Sequence, residues 1–191
     1  MHKAIRNEYA ESGVEAFYLL NGETYTNPHE AQVSALIKKN AHKLDCSCVL
    51  DLSCGGGEVT RTLQALNYEN IIGSDPFTFL LYEKLTCKKC FNFTFDDLVR
   101  GKHLNVWYEK QFSTIICSFA LHLQPEKKLY PLVSALFFLT DTLLVITPHK
   151  RPILENFENI LLIETDFVLT ERGKKVFLKR YALKFNNNEL K

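Results

Sequence analysis

The alternation of short apolar runs with amphipathic segments is the feature that most constrains how this chain folds. Runs typical of buried strands occupy residues 48–53, 71–74, 91–95, 112–119 and 142–147. The segments between them predict helices over residues 58–66, from Asp75-Pro76 to about Leu85, and along a stripe of Leu129, Leu132, Val133 and Leu136. Strands that alternate with helices predict a parallel sheet covered on both faces.

The C-terminal part departs from this alternation. Residues 160–170 and 175–185 both have the pattern of strands, and Arg172-Gly173 between them predicts a turn. The two strands therefore form an antiparallel hairpin at the edge of the sheet. The predicted fold is α/β, with a doubly wound, mostly parallel, seven-stranded sheet, a C-terminal antiparallel hairpin and a helical N-terminal cap.

The helical cap is predicted from the first 45 residues. Asn27 is a typical capping residue, Pro28 fits the first helical position, and Val33, Leu36 and Ile37 define a buried face.

The size of the chain, 191 residues, is that of one domain. We predict a single domain over residues 1–191, with the cap over 1–45, a Rossmann-like core over 46–185 and a polar tail over 186–191.

Composition limits the partners and the location. The formal net charge is +1, so no broad positive field indicates nucleic acid or a membrane as the partner. No apolar run approaches the roughly 18 residues of a membrane span, and Met1-His2-Lys3 does not begin a signal peptide. We therefore expect no membrane association, a cytoplasmic or nuclear location, and six reduced cysteines.

Four of the cysteines have spacings that also occur in zinc sites. Cys87 and Cys90 form a Cys-x-x-Cys pair, and Cys46 and Cys48 supply two more sulfur atoms. In the predicted sheet these pairs lie on strands that another strand separates. Reduced thiols without a metal are the favoured interpretation, and a structural zinc is the alternative.

A glycine-rich loop follows the first predicted strand, with the sequence Asp51-Leu52-Ser53-Cys54-Gly55-Gly56-Gly57-Glu58. Glycines at a strand-to-helix junction let the backbone approach a ligand closely. Asp75 lies 20 residues beyond Gly55 at the tip of the next strand, where a carboxylate accepts hydrogen bonds from ribose hydroxyls. The pattern predicts a nucleoside cofactor at the carboxyl ends of the strands.

Further details separate the candidate cofactors. The third glycine of a dinucleotide fingerprint, expected near Thr60, is missing, and no P-loop sequence is present. Asp51 and the loop resemble motif I of class I S-adenosylmethionine-dependent methyltransferases, Asp/Glu-x-Gly-x-Gly-x-Gly. The helical N-terminus, alternating core and terminal hairpin are also similar to that family, so the resemblance covers most of the chain. Ser53 departs from the motif at its first glycine.

The resemblance implies S-adenosylmethionine as cofactor and a set of residues that bind it. The loop from Ser53 through Cys54, Gly55 and Gly56 to Gly57, together with Asp51, would hold the methionine part, and Asp75 next to Pro76 would bind the ribose. Asp96, beside Asp97, resembles the acidic residue that contacts the adenine amino group, with Phe77 and Leu98 as apolar flanks. Ser118, at the end of the fourth strand, completes the set. Taken alone, the three aspartates after strands also fit helix caps, and the glycines also fit a tight turn.

The end of the fourth strand bears on the methyl acceptor. Family members that methylate exocyclic amino groups of bases or glutamine amides usually carry Asn/Asp-Pro-Pro-Tyr/Phe there, whereas this chain continues from Ser118 with Phe-Ala-Leu-His. His122 is in a suitable place for a general base or an orienting group, and His29 at a helix start is a second candidate. A histidine that is only hydrogen-bonded locally is the alternative for both.

Two other segments are candidate acceptor sites. His149, Lys150 and Arg151 follow the fifth strand, where cations hold an anionic acceptor such as a carboxylate or a phosphate. The aromatic segment with Tyr25 and Asn27 is suited to cover the acceptor. A solvated basic turn and simple packing of the cap are the alternatives.

The predicted function is methyl transfer from S-adenosylmethionine to an O, N or C atom of a small molecule, an RNA or a protein. The alternative is a catalytically silent protein that binds the cofactor as a sensor or partner subunit, which Ser53 and the missing acceptor motif suggest. Pairing with an activating protein is a further option, and the oligomeric state is open.

Overall fold

The sheet has seven strands in the order β3-β2-β1-β4-β5-β7-β6. The structure, a computed structural model, describes residue 16, residues 20–148 and residues 150–184. The strands are β1 Val49–Leu52, β2 Ile71–Ser74, β3 Cys90–Phe91, β4 Thr114–Ser118, β5 Leu143–Thr147, β6 Ile160–Leu169 and β7 Lys175–Leu183. β1 to β5 pair in parallel, and β7 runs antiparallel between β5 and β6. The predicted sheet and its terminal hairpin are confirmed.

Helices lie against both faces of the sheet. They are α1 Glu30–Asn40, α2 Glu58–Gln64, α3 Phe79–Thr86, α4 Phe95–Val99 and α5 Glu126–Leu139, with short 3-10 helices at Gly22–Thr24, Ala41–Lys43, Lys102–Asn105, Leu121–Leu123 and Leu154–Asn156. None of the helices in the described ranges is long and apolar enough to cross a membrane. The remaining predictions for the N-terminal cap and the polar tail concern residues 1–15, 17–19 and 186–191, which lie outside the described residues.

The core explains why the central strands are apolar throughout. Successive residues of a strand point to opposite faces of the sheet. Because helices cover both faces, every position of β1, β4 and β5 is buried. One face packs on α5 through the predicted stripe of Leu129, Leu132, Val133 and Leu136. The other packs on α1 and α2 through Val33, Leu36, Ile37, Val59 and Leu63. Burying each such side chain contributes about 1.5–3 kcal/mol.

The third strand is shorter than predicted. Residues 91–95 were expected to form it, but β3 ends at Phe91 and Phe95 begins α4. The hydroxyl of Thr94 accepts a hydrogen bond from the Asp97 amide at 3.0 Å, and the Asp97 carboxylate accepts one from the Thr94 amide at 3.1 Å. This capping box starts a helix within an aromatic run that by itself favours a strand.

Two helices begin later than predicted, because side chains hold a turn before each of them. Asn27 accepts a hydrogen bond from the His29 amide at 2.9 Å, and α1 begins at Glu30. Asp75 accepts hydrogen bonds from the amides of Phe77 and Thr78, and α3 begins at Phe79.

The hairpin contains a bulge. Leu162 pairs with Tyr181 and Glu164 with Arg180, so Ile163 is an extra residue in β6. Before the bulge, Ile160 packs into the core on the α5 side. After it, Asp166 faces α1 and forms an ion pair with Lys39 at 2.7 Å. The bulge therefore reverses the alternation of β6 side chains, so that even-numbered residues face α5 before it and α1 after it.

Candidate functional site

The glycine-rich loop joins β1 to α2 through a backbone that turns sharply. Ser53, Gly55 and Gly57 have left-handed φ values of 55°, 55° and 79°. The Ser53 amide donates to the Ser74 carbonyl oxygen at 2.7 Å, which fixes the loop to the end of β2. A left-handed backbone costs an L-residue roughly 1–2 kcal/mol, so Ser53 carries strain at the position where the motif has its first glycine.

Asp51 lies beneath this loop and is fully buried. One of its carboxylate oxygens accepts hydrogen bonds from the amide and the hydroxyl of Thr60. Burial raises the pKa of Asp51 to about 8, and the charge of Glu58 adds to that effect while the bonds from Thr60 oppose it. Asp51 therefore holds the loop in place from the interior and does not line the cavity described below.

Asp75 holds the loop from the opposite side. Its Oδ1 accepts from the amides of Phe77 at 2.9 Å and Thr78 at 3.0 Å, and its Oδ2 accepts from the Gly55 amide at 3.3 Å. Asp75 thus holds the turn before α3 and does not cap the helix itself, because the N-cap residue of α3 is Thr78. Its Oδ2, with one long hydrogen bond, still lies at the cavity wall.

A cavity of about 380 Å³ opens at the carboxyl ends of β1, β2 and β4. Nine of the predicted site residues line it: Tyr25, Asn27, Ser53, Gly55, Asp75, Pro76, Phe77, Asp96 and Ser118. Ligand pockets span roughly 300–1,000 Å³, so the cavity has the size of a ligand site. The tip of the Tyr25 ring approaches Gly55 closely, since a Cβ atom there would lie 3.0 Å from Tyr25 Cε1.

Other predicted cofactor residues support the loop without lining this cavity. Cys54 packs against Tyr82 and Cys90, and Leu98 belongs to the core on the α5 side. A Cβ at Gly57 would lie 2.4 Å from Thr86 Cγ2, so Gly57 is needed for close packing of α3. Gly56 also lies outside the lining, where the Glu58 carboxylate covers it.

Asp97 is a capping residue and not a cavity residue. Its ion pair with Lys102 and its hydrogen bonds from Thr94 lower the pKa of Asp97 to about 2. Asp97 and Leu98 were predicted to bind the cofactor, and neither lines the cavity, since Asp97 caps α4 and Leu98 is buried in the core on the α5 side.

Sequence reasoning missed nine residues that line the cavity: Glu58, Phe93, Thr94, Phe95, Phe119, Ala120, Leu123, Gln124 and Lys128. Phe119 directly follows β4 and has a left-handed φ of 56°, which is an outlier for an aromatic residue. Phe119 is the last residue of the strand predicted over residues 112–119, so its position was a usable signal. Lys128 comes from α5, which no local pattern connects to the loop.

Asp96 and Lys128 form an ion pair at the mouth of the cavity. The Nζ atom of Lys128 lies 3.0 Å from Oδ1 and 3.2 Å from Oδ2 of Asp96, and about half of each side chain is exposed. Exposed pairs of this kind contribute about 0.2–1 kcal/mol, so Asp96 is available to exchange this partner for a ligand group.

The two candidate histidines both contact Phe119. The His29 ring stacks on it with centroids 4.9 Å apart, and the His122 ring meets it edge-on at 6.4 Å. Burial lowers the pKa of His29, which favours the neutral ring. Neither histidine lines the cavity, whereas Phe119, which both contact, does.

The basic segment after β5, which was predicted to bind an anionic acceptor, lies apart from the cavity. Lys150 and Arg151 are exposed and do not line it, and His149 lies outside the described residues. The buried Lys179 donates from Nζ to the carbonyl oxygens of Lys150 at 3.0 Å and Pro152 at 3.2 Å, which fixes the loop after β5.

The cysteines form a different arrangement from the one that the spacings suggested. The Cys54 and Cys90 Sγ atoms lie 3.5 Å apart in the interior, while Cys87 is exposed. Within the described ranges, no three His, Cys, Asp or Glu residues are grouped so that they hold a metal ion.

Comparisons with known proteins give one relative and several structures of the same fold. No protein-family model matches the chain. An uncharacterized protein of Schizosaccharomyces pombe is 30% identical over 192 residues, in an alignment that covers 78% of this chain and 76% of that protein.

Many of the similar structures are S-adenosylmethionine-dependent methyltransferases. Magnesium protoporphyrin IX methyltransferase of Synechocystis PCC 6803, solved with bound S-adenosylmethionine, has a TM-score of 0.62 and 16% identity, covering 94% of this chain and 95% of that one. An S-adenosylmethionine-dependent methyltransferase of Anabaena variabilis has a TM-score of 0.65 and 11% identity, covering 96% of both chains. Another from Archaeoglobus fulgidus has a TM-score of 0.58 and 16% identity, covering 88% of this chain and all of that one.

The sequence match extends over more than two thirds of both proteins, and the structural matches, at 11–16% identity, show the fold alone. The chain belongs to the same family as the Schizosaccharomyces pombe protein, and its fold is that of the class I S-adenosylmethionine-dependent methyltransferases.

Proposed function

We propose that this chain is an S-adenosylmethionine-dependent methyltransferase that acts on an O, N or C atom of its acceptor. The observation that carries the proposal is the cavity in which the glycine-rich loop, Asp75 and Ser118 meet at the carboxyl ends of three parallel strands. Ligands of open α/β sheets bind at this edge.

The charges of the cavity support this cofactor. Glu58, Asp75 and Asp96 line it, against the single lysine Lys128 among the described residues. An excess of carboxylates favours a ligand with net positive charge. S-adenosylmethionine fits, since it carries a sulfonium and an ammonium group against one carboxylate.

The residues present suggest a division of the cavity. The loop at Ser53 and Gly55 would hold the amino-acid tail, and Oδ2 of Asp75 would accept from the ribose. Asp96 would accept from the adenine amino group, with Phe77 and Phe95 as apolar neighbours in place of Leu98.

When bound, the cofactor supplies a methyl group that its sulfonium makes strongly electrophilic. The task of the protein is then to hold the acceptor in line and to exclude water. We assign the exclusion of water to Phe119 and Tyr25, two of the large side chains that line the cavity. We assign His29 and His122 a positioning role through the Phe119 ring.

The class of acceptor and the surroundings of the protein belong to the same proposal. We propose an anionic acceptor, either a small molecule or an RNA, because Lys150 and Arg151 after β5 are exposed, although neither lines the cavity. We further propose a cytoplasmic or nuclear location, with pairing to an activating protein as an additional option.

The test is a binding measurement followed by a transfer assay. Calorimetric titration with S-adenosylmethionine and S-adenosylhomocysteine measures binding. Incubation with methyl-labelled cofactor and a cell extract, separated into small molecules, RNA and protein, identifies the acceptor, with Asp75→Asn as the matched control.

Label in one fraction, reduced in the control, supports the enzyme. Binding without transfer to any fraction contradicts it and favours the sensor or partner-subunit alternative, and absence of binding contradicts both.

A further inference from the structure

Glu58 is an acidic side chain that the division of the cavity leaves without a role. It begins α2 directly after the glycine-rich loop, lines the cavity and is only 4% exposed. Its Oε1 lies 3.0 Å from the position of a Cβ at Gly56, and its Oε2 lies 3.4 Å from that of a Cβ at Gly55. The carboxylate therefore folds back over the loop instead of extending into solvent.

A buried carboxylate is costly unless a cation accompanies it. Arg61 is the cation that influences Glu58 most, but its guanidinium pairs with Glu30 at 2.9 Å. No ion pair in the described part of the chain joins Glu58 to a lysine or an arginine. The other ionisable side chains that act on it, Glu30 from α1 and Asp51 from β1, are acidic.

We propose that Glu58 binds the α-ammonium group of the cofactor's amino-acid tail and makes the site selective for adenosyl ligands with a cationic tail. The inference rests on the proposed function, because it takes the loop as the place of that tail. An ammonium group offers three N–H donors to a carboxylate, whereas a sulfonium offers none. The chemistry of a buried carboxylate therefore matches the ammonium group.

The decisive experiment compares two ligands on three proteins. The ligands are S-adenosylhomocysteine and its analogue in which hydrogen replaces the α-amino group. The proteins are the wild type, Glu58→Gln and the matched control Glu69→Gln, whose side chain is about 67% exposed and pairs with Lys88. Calorimetric titration gives the affinities, and thermal unfolding checks that each variant is folded.

The wild type is expected to bind S-adenosylhomocysteine about 10- to 100-fold more tightly than the analogue, the range for a hydrogen bond between charged groups. Glu58→Gln should weaken S-adenosylhomocysteine by a similar factor while its affinity for the analogue stays within about twofold. Glu69→Gln should leave both affinities within about twofold.

The proton balance supplies a second readout. Burial raises the pKa of Glu58, with the charge of Glu30 adding to this and Arg61 and two backbone amides opposing it. Pairing with an ammonium group requires the ionised carboxylate, so binding releases a proton and strengthens as pH rises through the pKa of the free protein. Asp51 also has a raised pKa in this region, but it is present in all three proteins. The proton release that is lost in Glu58→Gln therefore comes from Glu58. Titrations in buffers of different ionisation enthalpy measure the released protons.

Three results would overturn the inference while the proposed function stands. These are equal wild-type affinity for the two ligands, equal weakening of both ligands in Glu58→Gln, and no weakening of either. A wild type that binds neither ligand overturns the proposed function together with the inference.

Discussion

The Oδ2 atom of Asp51 accepts two hydrogen bonds from Thr60, one from the amide at 3.2 Å and one from the hydroxyl at 2.8 Å. This pair joins β1 to the first turn of α2 across the loop that separates them. The Thr60 hydroxyl also bonds the Tyr82 hydroxyl at 2.8 Å, which adds α3 to the network. The loop that lines the cavity is thus supported from below by buried polar groups.

Removal of the Thr60 hydroxyl should destabilise the fold. Thr60→Val keeps the shape of the side chain but leaves Asp51 and Tyr82 short of a partner in the interior, which costs about 1–3 kcal/mol of unfolding free energy. Thr62→Val is the control, because its buried hydroxyl bonds only the Glu58 carbonyl oxygen one turn back, at 2.7 Å. Urea denaturation followed by circular dichroism measures both, and equal losses would contradict the supporting role of Thr60.

The raised pKa of Asp51 predicts how stability depends on pH. The folded protein keeps a proton on Asp51 up to a pKa of about 8, whereas the unfolded chain releases it near the ordinary value of 3.8. The folded state thus binds more protons in between, so the stability from this group is fully present at acid pH and is lost as pH rises towards 8. The loss has an upper limit of about 1.4 kcal/mol per pH unit.

Asp51→Asn removes this dependence. Urea denaturation of the wild type and the variant at several pH values between 5 and 8 should show the wild type losing stability relative to the variant as pH rises. Parallel curves for the two proteins would mean that Asp51 titrates normally in the folded state.

A comparison of alanine substitutions at Gly57 and Gly173 separates the cost of backbone strain from the cost of steric overlap. Their φ values of 79° and 71° are nearly equal, but a Cβ at Gly57 would lie 2.4 Å from Thr86 Cγ2, whereas one at Gly173 would have nothing within 4 Å. Gly173→Ala should cost about 1–2 kcal/mol from strain alone. Gly57→Ala should cost about 1–3 kcal/mol more because of overpacking. Thermal and urea unfolding give both values, and a Gly57→Ala loss no larger than that of Gly173→Ala would show that α3 moves aside easily.

Asp75→Asn should weaken the adenosyl ligand and keep the fold. The amide oxygen of asparagine still accepts from Phe77 and Thr78, but the second atom becomes a donor and no longer accepts from a ribose hydroxyl or from Gly55. The expected loss of S-adenosylhomocysteine affinity is about 1.5–3 kcal/mol. Asp97→Asn is the control, since Asp97 caps α4 outside the cavity. Unchanged affinity in Asp75→Asn would limit Asp75 to the support of the loop.

The order and type of most elements could be predicted from the sequence because apolar runs and helical stripes determine burial directly. The exception at β3 shows the limit of such patterns. Phe91, Phe93 and Phe95 favour a strand by residue type, but the reciprocal hydrogen bonds of Thr94 and Asp97 favour a helix start. The spacing Thr-x-x-Asp was a usable signal for that boundary.

The candidate site was predictable where residues lie at or after the ends of the predicted strands, as Ser118, Asp75 and Asp96 do. It was not predictable where distant segments meet. Glu58 directly follows the glycine-rich loop in the sequence, but its burial depends on how the segment around Asn27 packs over it. Lys128 reaches Asp96 from α5, a contact that only the assembled fold creates.

The edges of the sheet limit how the chain associates with its own copies. An exposed edge strand presents unpaired backbone groups to any neighbouring chain. At one edge β3 offers only two residues, and at the other the extra Ile163 in β6 interrupts the regular spacing of those groups. The carboxylates that follow it, Glu164 and Asp166, are held by Lys43 and Lys39. An eighth strand donated by another molecule therefore meets a short template on one side and an irregular, charged one on the other, which protects the protein from aggregation through its sheet.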